Sequence, residues 1–318
     1  MTTRNRKCKL IIDSCCDLPA DLVKTFNVAG VLSLTYIMDD GDHPDDLWAS
    51  ITPHEFYERM RKGERPTTSM VPPADMQCLF KQVAEEGVPT VYLCFTSGLS
   101  GTYETAVTVW NDMKPNYPGF EMYIVDSKLA SAATGLLVLE AVRQCDRGLA
   151  AAELAAWIRE ARYYVHGYFT MAGLETLQRG GRIPDLAGVI GTKLDIKPIL
   201  SFDLEGHLSF FGFARGRKKA IKQMVETFED RFDDYGTGEV IVASADAPKE
   251  QKALAEQLQK SSHKSTITHT SVGPVIGSHV GPEMLALVFW GPDRRQYRSL
   301  SDRIAKAVSG KQKNTEEE

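Results

Sequence analysis

Strand-length apolar runs alternate with helix-length patterns through the first half of this chain, and that alternation admits few folds. Lys9–Ile12, Val31–Met38, Pro89–Phe95 and Glu121–Val125 read as strands. Pro19–Thr25, the segment opened by Thr52-Pro53, the segment from Leu99 onward, Ser131–Arg147 and Ala150–Arg162 read as helices. Thr52 suits a cap and Pro53 the first helical position. Neighbouring parallel strands need a long crossover, and helices supply it, so this half predicts an α/β layer with a parallel sheet. Asp40-Gly41 reads as a hairpin-type turn. The carboxylates around it, Asp39, Asp40, Asp42, Asp45 and Asp46, do not follow a calcium-loop spacing and read as a solvated hairpin tip.

After about residue 165 the pattern changes. Lys197–Phe202 and Leu208–Phe213 read as strands joined at Glu205-Gly206-His207, followed by an amphipathic helix at Arg217–Phe232. Glu239–Ala243, Thr266–His269 and Leu285–Trp290 read as further strands, with a helix at Pro248–Lys260. Hairpins followed by helices predict an α+β unit with an antiparallel sheet. The expected organisation is an N-terminal α/β domain at 1–165, a C-terminal α+β domain at 166–292 and a charged extension at 293–318. The extension is expected to be helical, with Lys311–Glu318 disordered. A chain of 318 residues suits two domains, and a cleft between them is then available as a site.

Charge and composition remove several classes. A net charge of −5 with an isoelectric point near 5.9 argues against nucleic acid as a partner, which demands a basic surface. The longest apolar run, Met284–Trp290, is far short of the roughly 20 residues of a spanning helix. Arg4, Arg6 and Lys7 precede only Leu10-Ile11-Ile12, too little for a secretory signal, so a cytoplasmic location is expected. The six cysteines, Cys8, Cys15, Cys16, Cys78, Cys94 and Cys145, form no C-x-x-C pair and no zinc spacing, so no metal is expected. Cys94 and the Cys15-Cys16 pair read as packing residues.

Chemistry-bearing residues gather where strands hand over to loops, the place where open α/β sheets bind ligands. These segments are Asp13-Ser14, Thr67-Thr68-Ser69, Thr96–Thr102 and the glycine- and proline-rich stretch 273–282. In the third, a buried strand ends at Phe95 and a helix begins near Ser100. Backbone N–H groups at that helix start, with the hydroxyls beside them, suit an anion; the same hydroxyls of Ser97 and Ser100 suit simple capping. Gly101 would let a ligand approach the backbone closely. His279 alone among the seven histidines stands in a glycine-proline-rich turn, expected to be a shaped loop. Gly98-Leu99-Ser100-Gly101 lacks the spacing of a nucleophile elbow, and no glycine-rich loop ends in Gly-Lys-Ser/Thr.

Together these segments resemble the DegV family of bacterial fatty-acid-binding proteins. The resemblance is carried, in order, by Asp13-Ser14-Cys15-Cys16-Asp17-Leu18-Pro19, Thr68-Ser69, Leu99-Ser100-Gly101-Thr102-Tyr103 and Val125-Asp126-Ser127-Lys128. It continues through Leu177-Gln178-Arg179-Gly180-Gly181-Arg182-Ile183, Ile196-Lys197-Pro198-Ile199-Leu200, Arg215-Gly216-Arg217-Lys218-Lys219-Ala220 and Gly273-Pro274-Val275-Ile276-Gly277-Ser278-His279. The resemblance implies a long-chain fatty acid buried between two domains and presented to a separate fatty acid kinase, which forms acyl phosphate for phospholipid synthesis. By the same resemblance the carrier has no catalysis and no cofactor of its own. It implies that Thr68 and Ser100 hold the carboxylate with His279 nearby, in a site that takes in Ser69 and Gly101. Arg179, Arg182, Arg215 and Arg217 fall in basic loops that would face the kinase. A rival reading of the residues is an acyl hydrolase or acyltransferase using Ser100 with His279 as base. Two departures stand out: Met70-Val71-Pro72 replaces the family's Gln-Pro-Ser after Thr68-Ser69, and the extension after Pro292 passes the family's usual end.

Overall fold

A computed structural model describes residues 6–183, 196–233, 235 and 237–296. Three sheets organise it. The first is fully parallel, in the order β2-β1-β6-β7, from β1 (Lys9–Asp13), β2 (Gly30–Leu32), β6 (Thr90–Cys94) and β7 (Met122–Asp126). Its strands are short and apolar because both faces are covered by helices. A small antiparallel sheet, β4-β3-β5, joins β3 (Thr35–Met38), β4 (Gly41–Pro44) and β5 (Thr67–Ser69).

The third sheet has the order β10-β9-β8-β13-β11-β12. It contains β8 (Val165–Thr170), β9 (Ile196–Phe202), β10 (Leu208–Arg215), β11 (Glu239–Ser244), β12 (Thr266–Ser271) and β13 (Leu285–Trp290). Every pairing is antiparallel except β11 with β12. The 165/166 boundary expected from sequence falls on the first residue of β8.

The helix α5 (Ala132–Asp146) joins the layers. Twelve of its fifteen residues are buried, so it presents apolar surface on every side, as a helix enclosed between layers must. It packs against β8, β11 and β13 on one side and against β1 and α6 (Ala151–Ala161) on the other. The largest buried apolar cluster accordingly draws residues from both halves of the chain, from Cys8 to Trp290.

Several sequence expectations are corrected. Val31–Met38 is two strands, because Leu34 turns aside: its N–H donates to Ser14 Oγ (3.2 Å) and its carbonyl accepts from Asp45 N (2.8 Å). Asp45 is therefore buried, whereas Asp39, Asp40 and Asp42 are exposed. The glycine-proline stretch 273–282 is not a loop but holds the helix α10 (Pro274–Val280), with proline at its first position. Cys15, Cys16 and Cys94 are buried free thiols. The last described residues, Arg294–Gln296, form a short 3₁₀ turn, and the expected disorder at Lys311–Glu318 lies outside the described residues.

Candidate functional site

Between the third sheet, α5 and α10 lies a cavity with about 810 Å³ of space between atoms, part of it open at its mouth. Its walls are apolar: Ala132 and Ala133 at the start of α5, Phe169 on β8, Phe202 on β9, Val288 on β13 and Ile276 on α10. Polar side chains also line it, namely Thr68, Ser69, Ser100, Ser131, Arg182 and His279.

Thr68 is the central residue of β5, paired opposite Tyr36 of β3. Its Oγ1 lies 2.8 Å from His279 Nε2, in the last turn of α10. Two remote segments are thereby joined. The His279 ring packs on the backbone of Gly180, where an added Cβ would fall 2.3 Å from Nδ1. Burial pushes the His279 pKa down to about 4, and the charges of Arg182 and Arg179 push the same way. The imidazole is therefore neutral near pH 7 and carries one proton. Nδ1 is buried and without a partner. A buried unpaired N–H is costlier than a buried unpaired lone pair, so the proton belongs on Nε2, which donates to Thr68 Oγ1. The Thr68 hydroxyl proton then remains free to point at a ligand.

Ser100 stands in the turn between β6 and α4 (Thr102–Met113). Its Oγ accepts from Thr102 N (3.3 Å) and lies 2.9 Å from Thr102 Oγ1, while the same side chain lines the cavity. Ser100 thus faces the cavity from just ahead of the helix, while the cap position itself is Gly101, which has no side chain to cap with. Ser97 turns the other way: its hydroxyl and N–H both donate to Asp126. Ser69 lines the cavity and is exposed; Gly101 is exposed and outside the lining. Met70, which no sequence pattern singled out as a site residue, lines the cavity and is exposed. Its Sδ accepts from Thr105 Oγ1 (3.1 Å) and its Cε faces Gly101.

Of the four arginines, Arg182 is itself part of the cavity lining, and its Nε donates to Leu99 O (3.3 Å). Arg179 and Arg215 are exposed. Arg217 is half-buried, its Nη2 donating to Glu283 O (2.5 Å). The Ser100–His279 pair of the rival reading is not assembled, since His279 Nε2 faces Thr68, Ser100 Oγ faces Thr102, and no acid orients Nδ1.

Behind the cavity wall sits a cluster of carboxyl groups that sequence reasoning caught only at Asp13-Ser14. Asp13, Asp17 and Asp45 are all buried, and each keeps one carboxyl oxygen without a partner. Ser131 connects them to the cavity it lines, because its hydroxyl donates to Asp17 Oδ2. Asp17 Oδ1 lies 2.4 Å and Asp45 Oδ2 3.4 Å from where a Cβ on Gly273 would be, so only glycine fits at the head of α10. Burial raises the pKa of Asp13 and Asp45 to about 7. Burial and the neighbouring Asp45 raise Asp17 to about 8. The signal lay in the Asp13-Ser14 and Asp17 motif, but Asp45 joins it only through the fold.

The fold and site define a class: two sheets sandwiching a buried helix, with a partly open apolar cavity that hydroxyls and a neutral imidazole line. A family model described as "Uncharacterised protein, DegV family" matches residues 7–291. A DegV domain-containing protein of Clostridium perfringens is 33% identical over 286 residues, covering 90% of this chain and 98% of that protein. A DegV family protein from Thermus thermophilus, described as fatty acid binding, aligns with a TM-score of 0.77 at 29% identity, over 90% of this chain and 99% of that one. A DegV lipid binding protein from Thermotoga maritima aligns at 0.75 and 27% identity, over 90% and 99%. This chain belongs to the DegV family.

Proposed function

We propose that this protein binds one long-chain fatty acid, buries the acyl chain in the cavity and offers the carboxylate to a fatty acid kinase that makes acyl phosphate for phospholipid synthesis. The observation that carries the reading is the pairing of apolar walls with uncharged donors, Thr68 backed by His279 and Ser100 beside it. Burial contributes roughly 0.8 kcal/mol per methylene, on the order of 10 kcal/mol gross for a fatty-acid tail. Removing the carboxylate from water costs several kcal/mol unless donors meet it. Hydroxyls meet it without the bidentate grip of a guanidinium fork, which leaves an oxygen free to attack a phosphoryl group. Arg182 is the nearest cation, and its tie to the Leu99 carbonyl restrains it from forming such a fork. Fatty acid binding in the Thermus relative supports the reading, as does the exposure of Arg179 and Arg215 for a kinase to meet. The carrier works in the cytoplasm, without catalysis or a cofactor of its own, and the 165/166 boundary divides its two domains.

The test is a fatty acid titration of delipidated protein, followed by phosphoryl transfer from ATP with a bacterial fatty acid kinase. In the Thr68→Ala, Ser100→Ala double variant, affinity should fall by at least about tenfold, the worth of one or two lost hydrogen bonds. Phosphoryl transfer should fall with it. Unchanged affinity in that variant defeats the site assignment. Turnover of acyl esters by the protein alone would revive the hydrolase reading.

A further inference from the structure

The apolar part of the cavity can be followed along the sheet that walls it. Helix α10, with His279 in its last turn, ends at Val280, and β13 begins soon after at Leu285, so the start of β13 lies at the polar end. β8 runs antiparallel to β13, with Phe169 opposite Ala286 and Gly167 opposite Val288. These four residues line the cavity in two successive rows, the second roughly 7 Å further from the polar end. The next pair on the same face, Val165 opposite Trp290, is buried in the packed core. Among the described residues, the lining on these strands thus stops at the second row.

Phe202 fills that row. β9 pairs with the other edge of β8, and Phe202, opposite Leu208 of β10, carries its ring across to Gly167. A Cβ on Gly167 would stand 3.0 Å from Phe202 Cε2 and 3.3 Å from Ala133 Cβ, at the start of α5. The ring is wedged between the sheet and α5, in a slot that a residue without a side chain leaves open. It also packs on Phe169 of the first row, ring centroids 6.0 Å apart. Its backbone is braced: the Phe202 carbonyl accepts from Nη1 of the buried Arg294 (2.9 Å), whose Nη2 donates to Arg162 O (3.3 Å). Arg294 lies beyond the residues that the family model matches.

We infer that Phe202 sets the longest acyl chain this protein takes: the methyl end of a straight, saturated chain stops against its ring, and Gly167 gives the ring its seat. The inference rests on the carrier reading above and adds to it a ligand class, chains of bounded length. Each methylene that gains burial short of the ring is worth about fourfold in affinity. A longer chain must displace a ring held between sheet and helix on a braced backbone, and overpacking opposes it. Affinity should climb with length and then break.

Titration of the delipidated full-length protein with saturated fatty acids of stepwise increasing length tests the inference. Phe202→Ala should move the break to longer chains, the first length rejected by the wild type gaining at least about tenfold. Gly167→Ala forces the ring off its seat and, with Ala133 fixed in α5, toward the open cavity, so the break should move to shorter chains. Phe202→Leu should shift it as Phe202→Ala does but by less, and it decides the matter if the alanine variant fails to fold. A break that stays in place in both Phe202→Leu and Gly167→Ala overturns the inference. So does a wild-type affinity that climbs without a break, or a change of equal size at every length in the variants. Failure of the wild type to bind any length defeats the carrier reading itself.

Discussion

At the scale of single residues, the site depends on neighbours that never touch a ligand. His279 orients Thr68, and Gly180 gives His279 its place. Gly180→Ala inserts a methyl where only about 2.3 Å is free to the imidazole nitrogen, so the ring must move away from Thr68. Overpacking of this kind costs about 1–3 kcal/mol, and fatty acid affinity should drop along with stability. Ligand titration and thermal unfolding of this variant check it; unaltered affinity would show that the His279–Thr68 contact plays no part in binding. That Thr68, Ser100 and His279 meet at one place was legible in the family motifs, and all three line the cavity. The role of Gly180 was not, because a close approach between α7 (Glu175–Gly180) and α10 exists only in three dimensions. Arg182 is exposed, as a partner-facing residue must be, yet it also lines the cavity and reaches Leu99 across 83 residues of sequence, which no local pattern shows.

At the scale of elements, the head of α10 rests on the buried carboxyls of Asp17 and Asp45, with Asp13 close behind. The groups facing this cluster are Ser14, Cys15, Cys16, Tyr57, Tyr92 and Ser131, with Asp46 beyond them, and none is a cation. Folded carboxyls with pKa near 7 to 8 hold protons that the unfolded chain releases near pH 4. The folded state then binds more protons between those limits, so stability declines as pH rises and the loss is complete above about pH 8. His279 and His166, depressed to about 4 and about 3, act in the opposite sense, but only below about pH 6.5. Denaturant midpoints measured from pH 6.5 to 8 report chiefly the carboxyls, because the histidines act below that window and the buried thiols Cys15, Cys16 and Cys94, raised by burial, act above it. The midpoint should fall across that range, and Asp17→Asn should flatten the fall. A midpoint that rises with pH, or an identical slope in the variant, contradicts the assignment. Glycine and proline in 273–282 signalled a loop, yet a proline at the first position is also how a short helix begins, and local sequence does not decide between them. The break of Val31–Met38 at Leu34 was likewise hidden, because it is made by Ser14 and Asp45 from elsewhere in the chain.

At the scale of the whole molecule, the parallel and antiparallel-rich halves were legible because strand and helix periodicities differ and the connections betray the sheet type. The cavity was expected only as a cleft between the halves; its walls were not legible, since α5 enters from the first half and β8, β9, β10 and β13 from the second. β8 itself, Val165–Thr170, escaped notice because His166 and Gly167 interrupt its apolar pattern. An apolar cavity between two layers ties ligand binding to the stability of both, so removing a tight ligand should lower the melting temperature by several degrees. Native mass spectrometry of the purified protein, before and after delipidation, tests the central claim most directly. Expected is one long-chain fatty acid per chain, released on denaturation and restored with the melting temperature when fatty acid is returned. A protein that emerges without lipid, and neither takes one up nor gains stability when it is supplied, contradicts it.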